Sequence, residues 1–257
     1  MMNNKSINRN GEINHNCYGS RFRIIKYINY SNIIVKFENG YIKNSSYGNF
    51  KKGTICSPYC KTVYNNGYIG EGKYNLKENK DIYQKWTDVL KRSFSIRIKN
   101  KWETYKDVTC CEEWMNFQNF AKWYEDNYYE INNEKMHLDK DILNKGNKIY
   151  SPETCIFVPQ RINELFIKSN KIRGKYPIGV TYLNRLNKYQ SNCKTYVSKG
   201  HPSYSNYLGI YNTPEEAFQA YKQFKEKYIK QVADEYKDKI PKKLYDAMYR
   251  YEVEITD

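Results

Sequence analysis

Between His137 and Asp141 the chain reads HLDKD, which places an imidazole, two carboxylates and an ammonium within five consecutive residues. Asp139 and Asp141 are hard oxygen donors two positions apart, so on a strand they share one face and would suit a Mg²⁺- or Mn²⁺-like ion. His137 falls on that same face and is the nearest candidate base. Lys140 points away from them, and a protonated lysine is a poor base unless burial or neighbouring cations pull its pKa far down. Two flanking carboxylates would instead hold it charged. The stretch therefore offers a credible metal acid without a convincing proton acceptor.

These side chains need a frame. The sequence predicts a short strand carrying Asp139, Lys140 and Asp141, a loop around Lys145, Gly146 and Asn147, a strand over Cys155–Val158 and a helix opened by Pro159. Upstream, Ile82, Trp86, Val89, Leu90 and Phe94 recur at helical spacing. A second helix is expected from about Cys111 to Tyr129, with Trp114, Phe117, Ala121 and Tyr124 on its core face. Residues 63–77 are rich in Gly and Asn and read as a linker. Residues 17–62 read as short strands: Ile33, Val35 and Phe37 alternate with polar or exposed positions, and Asn39-Gly40 is a hairpin turn. A small bent β-barrel of Tudor-like shape is the expected solution there, and residues 1–16 read as a disordered polar tail.

Downstream, strands are expected at Ile178–Val180, Lys188–Gln190, Lys194–Val197 and Asn206–Gly209. Thr213-Pro214-Glu215-Glu216 then announces a helix, with a capping threonine, a proline at the first helical position and a glutamate to close the box. Ala217, Phe218, Tyr221, Phe224 and Tyr228 give that helix one apolar face, and Pro241 separates it from a last short helix. A sheet backed by one such helix buries one face and leaves the other free.

The 257 residues carry 43 Lys and Arg against 28 Asp and Glu, a formal net charge of +15. The excess is uneven: residues 1–80 hold 13 basic and 4 acidic side chains, residues 81–165 hold 13 and 14, and residues 166–257 hold 17 and 10. Two basic flanks around a near-neutral centre point to a polyanionic partner. With 28 Tyr, 10 Phe and 4 Trp the chain can build several small cores, which argues against wholesale disorder. No apolar run suggests a leader or a membrane span. The seven cysteines lack a paired CxxC array, so reduced thiols are expected and Cys56 and Cys60 alone speak against a structural zinc.

From Trp86 to Phe166 the sequence resembles the phage-type HNH endonucleases. The resemblance is carried by VTCCEEW at 108–114, NFQNFAKW at 116–123, LDKDIL at 138–143, YSPETCIFVP at 150–159 and the pair Ile162-Asn163. It implies a ββα-metal fold and metal-dependent hydrolysis of a DNA phosphodiester, commonly as a single-strand nick. Residue by residue, Asp139 falls at the family's metal acid, Thr154 near its middle asparagine, and Asn163 near the last ligand position of the helix. Lys140 stands where the family has its general-base histidine, which is the departure that bears most on catalysis.

From Tyr176 to about Phe224 the chain resembles the APETALA/ethylene-response-factor DNA-binding domains. The matching residues are YPIGV at 176–180, Lys188-Tyr189, YLGIYNT at 207–213 and Glu215, Glu216, Ala217, Ala220 and Tyr221. The resemblance implies a three-stranded sheet packed on a helix, with the sheet entering the major groove. Candidate DNA-contacting residues are Thr181, Arg185, Lys188, Tyr189, Lys194 and Tyr196.

The sequence thus predicts an α+β protein: a tail at 1–16, a small barrel at 17–62, a linker at 63–77, an HNH-like ββα-metal domain at 78–170, an APETALA-type domain at 175–230 and a helical tail at 231–257. The expected partner is double-stranded DNA in a bacterial host cytoplasm, without membrane contact. If the centre is active, Asp139 and Asp141 hold Mg²⁺ or Mn²⁺, and Lys140, His137 and Asn163 serve catalysis in nicking. The rival from another class is an inactive nuclease-like DNA binder, a regulator or a counter-defence protein with a host or phage protein as partner.

Overall fold

A computed structural model describes residues 8–131, 134–167, 175–195 and 204–257. The protein is α+β and divides into two compact units. One runs to Asp126 and takes in Ile149–Ser151; the other comprises Asn127–Lys148 and Pro152–Asp257. This division cuts through the expected 78–170 domain. None of the described helices is long and apolar enough to cross a membrane.

The first unit begins with β1 (Ile13–His15), β2 (Arg21–Asn29), β3 (Asn32–Phe37) and β4 (Ile42–Ser45), antiparallel neighbours in that order. The expected barrel is not closed: the sheet is open, with β1 and β4 at its edges. Its apolar face, formed by Phe22, Ile24, Ile33, Val35 and Phe37, is covered by Tyr47 and Phe50 of α1 (Tyr47–Lys52) and by Ile55 and Cys60. A helix and the segment after it thus bury what closure would have buried. Strand β1 falls within the expected disordered tail. Its order comes from pairing with β2, since Ile13 itself is 50% exposed.

The Gly-rich stretch at 63–77 is a packed strap rather than a linker. Val63 and Gly67 exchange backbone hydrogen bonds around a turn in which Tyr64 and Asn65 take left-handed φ values of 51° and 59°. Tyr68 bridges to Asn116. A Cβ on Gly67 would lie 2.2 Å from Leu90 Cδ1 and 2.8 Å from Trp86, so glycine here permits close approach to α2 (Lys80–Phe94). Trp86 Nε1 donates to the Trp114 carbonyl at 2.7 Å. After α3 (Ile96–Lys101), β5 (Thr109–Cys110) pairs in parallel with β7 (Ile149–Tyr150). The helix expected over 111–129 is shorter. A 3₁₀ turn at Glu113–Met115 precedes extended Asn116, whose Oδ1 accepts from Gln118 N as α4 (Phe117–Asn127) begins.

In the second unit, β6 (Met136–Asp139) and β8 (Ile156–Pro159) form an antiparallel pair followed by α5 (Gln160–Leu165). Strands β9 (Val180–Leu183), β10 (Lys188–Thr195) and β11 (Tyr204–Tyr211) form an antiparallel sheet in the order β11-β10-β9. The two separate strands expected within 188–197 are thus one strand as far as Thr195. Helix α6 (Pro214–Glu235) starts with the full capping box anticipated from Thr213 and Glu216, and α7 (Lys242–Arg250) follows Pro241.

One helix serves two cores. Ala217, Phe218 and Tyr221 in the first half of α6 pack with Val180 and Cys193 of the sheet. Ile229, Val232 and Ala233 in the second half pack with Ile142, Val158 and Ile162 of the hairpin region. The hairpin with its helix and the sheet-helix module both fall within the second compact unit.

The tightness of the strap makes a test. Gly67→Ala should lower the unfolding free energy by about 1–3 kcal/mol through overpacking against Leu90 and Trp86. Denaturant unfolding measures this, and an unchanged midpoint would contradict close packing at 67.

Candidate acidic turn and sheet interface

Strand β6 ends at Asp139, two residues short of the alternation expected for Asp139, Lys140 and Asp141. The cause is Asp139 itself. Its Oδ1 accepts from Asp141 N at 2.8 Å and Ile142 N at 2.7 Å, bending the chain into a side-chain-capped turn. Lys140 consequently folds inward. It is only 8% exposed, its Nζ lies 3.3 Å from Asp141 Oδ2, and Asn147 Nδ2 donates to its carbonyl. Lys140 therefore neither projects away from both acids nor belongs to a solvated hairpin.

The loop expected around Lys145–Asn147 is present. Gly146 takes φ 84°, and Asn147 N donates to Asn144 O at 3.0 Å. Lys145 anchors it, with its ammonium 2.9 Å from the Glu252 carbonyl, 2.9 Å from Asp257 Oδ2 and 3.3 Å from Glu254 Oε1. His137 pairs with Val158 across the hairpin and Asp139 with Ile156, so both lie on the side of the core residues Ile156 and Val158. Thr154 precedes β8. Asn163 is half-buried on α5.

Burial, and next the charge of Asp141, raise the Asp139 carboxyl to about 6; the two turn N–H groups and Lys140 oppose the rise. Two carboxylates this close would ordinarily favour a divalent cation. Here Lys140 already supplies a cation to Asp141, and one Asp139 oxygen is committed to the turn. No group of three or more His, Cys, Asp or Glu side chains placed to hold a metal lies among the described residues.

The sheet tells a different story. Ser191 and Cys193 are buried under α6, so by alternation Lys188, Gln190, Asn192 and Lys194 face outward. Thr181 pairs with Gln190, and Tyr207 pairs with Asn192 past a bulge, so both share that outward face. Thr181, Lys188 and Lys194 are exposed, and Tyr207 is 61% exposed. Strands β9, β10 and β11 contain no Asp or Glu. Arg185 is exposed in the β9–β10 turn.

Tyr189 is on the opposite side. Its ring lies 5.2 Å from Tyr176 and 5.1 Å from Tyr182 and packs against the core beneath the sheet. The adjacent pair Lys188-Tyr189 cannot present both side chains to one face of a strand. Tyr196 lies outside the described residues. Sequence reasoning missed Gln190, Asn192 and Tyr207, whose outward placement follows from the parity of the buried Ser191 and Cys193.

The raised Asp139 carboxyl sets a pH signature. A carboxyl held above its unfolded value of about 4 favours the fold fully below that value, and this contribution is lost as pH rises through about 6. Asp139→Asn keeps an acceptor for the turn without the charge. It should match the native chain near pH 4 and exceed it by about 1–2 kcal/mol at neutral pH. Urea unfolding across this range measures the difference, and a pH-independent difference would contradict the account.

Comparison with family models, curated proteins and solved structures gives no match to this chain.

Proposed function

We propose that the chain binds double-stranded DNA through the outward face of the β9–β11 sheet. The observation that carries this reading is the composition of that face: Lys188 and Lys194 with Gln190, Asn192 and Tyr207, and no carboxylate on any of its strands. Lysines meet phosphate, whereas side-chain amides can pair with the edge of adenine in the major groove. Helix α6 covers one side of the sheet and leaves the other for a ligand. The net charge of +15 supports a polyanionic partner.

In this reading the hairpin of β6 and β8 is a scaffold with a nuclease-like layout. Lys140 supplies the positive charge that a metal ion would bring, which favours a binder over a hydrolase. A second reading, metal-dependent nicking with Mg²⁺ or Mn²⁺, rests on one observation: Asp139 and Asp141 approach closely enough for the charge of one to raise the carboxyl of the other. It requires Lys140 to give up Asp141.

Duplex binding by the full chain should weaken steeply with salt. Replacing Lys188 and Lys194 by Ala should reduce the slope of log K against log salt by about 1 for each phosphate contact removed. Fluorescence anisotropy across a salt series reads both effects, and unchanged affinity and slope in the double variant would exclude this face. Supercoiled plasmid with Mg²⁺, Mn²⁺ or EDTA separates the two readings. The scaffold reading expects no nicking with either metal; metal-dependent nicking lost in Asp139→Ala would establish the hydrolase.

A further inference from the structure

The first unit contains a sulfur site unconnected with DNA binding. Cys60 is 1% exposed, yet its Sγ is surrounded by polar groups. Asn16 Nδ2 donates to it at 3.1 Å and Ser57 N at 3.2 Å; the hydroxyls of Ser20 and Ser57 lie 3.4 and 3.6 Å away. A buried thiol needs no such set of donors, whereas a thiolate does. Burial alone would push the Cys60 thiol up, but the hydrogen bonds from Ser20, Ser57 and Asn16 outweigh it and bring the pKa below the ordinary thiol value.

A second sulfur shares the site. The amide nitrogen of Asn16 that reaches Cys60 also lies 3.8 Å from Cys56 Sγ, so one side-chain amide stands beside both sulfurs. Burial and then the charge on Cys60 push Cys56 up to about 11, so Cys60 is the more readily ionised sulfur of the two. The turn from Ser57 to Cys60, closed by Cys60 N donating to Ser57 O at 3.1 Å, brings the two together. Both sulfurs are reduced in the structure.

We propose that Cys56 and Cys60 form a redox-active dithiol that a hydroperoxide converts to an intrachain disulfide and a thiol reductant restores. The Cys60 thiolate attacks the peroxide: the S–O bond forms, the O–O bond breaks, and the departing alkoxide or hydroxide takes a proton from water. Cys56 then attacks the Cys60 sulfenic acid. The S–S bond forms, the S–O bond breaks, and the hydroxide leaves as water with the Cys56 proton. The two sulfurs lose two electrons in all, and the peroxide gains them. A small oxidant suits a sulfur buried this deeply. In the disulfide, Asn16, Ser20 and Ser57 lose the anionic acceptor that joins the 16–20 loop to the 55–60 turn.

The test uses the full chain treated with hydrogen peroxide, followed by alkylation of remaining thiols and peptide mass spectrometry. A Cys56–Cys60 linkage reversed by dithiothreitol is expected. Cys56→Ser should accumulate a Cys60 sulfenic acid that dimedone traps. Ser20→Ala removes one donor without a backbone contact and should slow the reaction at least about threefold near pH 6, with a smaller effect near pH 8. The proposal is overturned if Cys56 and Cys60 remain alkylatable after peroxide treatment, or if Cys60 links to Cys17 instead. It is equally overturned if the well-folded Ser20→Ala chain reacts at the native rate at both pH values.

Discussion

Helix α6 is the constraint on which the second unit depends. At 22 residues it is about 33 Å long, more than a three-stranded sheet needs for cover. Its surplus length builds the second core, where Ile229, Val232 and Ala233 meet Val158 and Ile162 and where α7 adds Leu244 and Met248. Polar ties reinforce the far end: Arg161 bonds Glu235 at 2.5 Å, and Tyr236 Oη donates to Glu134 at 2.7 Å. Because this single helix covers only one side of the sheet, the outward face stays uncovered by it. The same helix packs against the hairpin that carries the acidic turn.

Within that hairpin, the electrostatics turn on Lys140. A buried ammonium is costly without a partner, and a buried carboxylate equally so. Asp141, whose side chain is about half exposed, offsets part of the cost of burying Lys140 at 3.3 Å, while one Asp139 oxygen accepts from two backbone donors. The turn is thus held by an internal ion pair and two backbone hydrogen bonds. A histidine at this position would carry less charge at neutral pH and would leave Asp141 more available. One residue type therefore separates a turn organised around an internal cation from one organised around an external ion.

Much of the frame was legible because it rests on local rules. The alternation of Ile33, Val35 and Phe37, the Asn39-Gly40 turn, the α2 stripe and the Thr213 capping box each appear where the sequence places them. What escaped depends on partners distant in the chain. Strand β1 is mostly polar and gains order from pairing with β2 and from Asn14, whose amide donates to the Phe50 carbonyl. Gly67 reads as flexibility, although its role is to let Trp86 and Leu90 approach. The strand carrying Asp139 stops early because the side chain caps its own turn, which periodicity does not register. The resemblance names Lys188 and Tyr189 together, although strand geometry sends them to opposite faces. The sulfur site joins Asn16 and Ser20 to Cys56 and Cys60 across some forty residues, with no local signal.

The central claim is that the uncovered sheet face is where nucleic acid sits. Lysine acetylation footprinting of the full chain, with and without a saturating DNA duplex, tests it most directly. The account predicts that duplex protects Lys188 and Lys194 from acetylation while exposed lysines of the first unit, such as Lys51 and Lys52, react as before. Protection confined to the first unit, with Lys188 and Lys194 reacting equally in both samples, would contradict it.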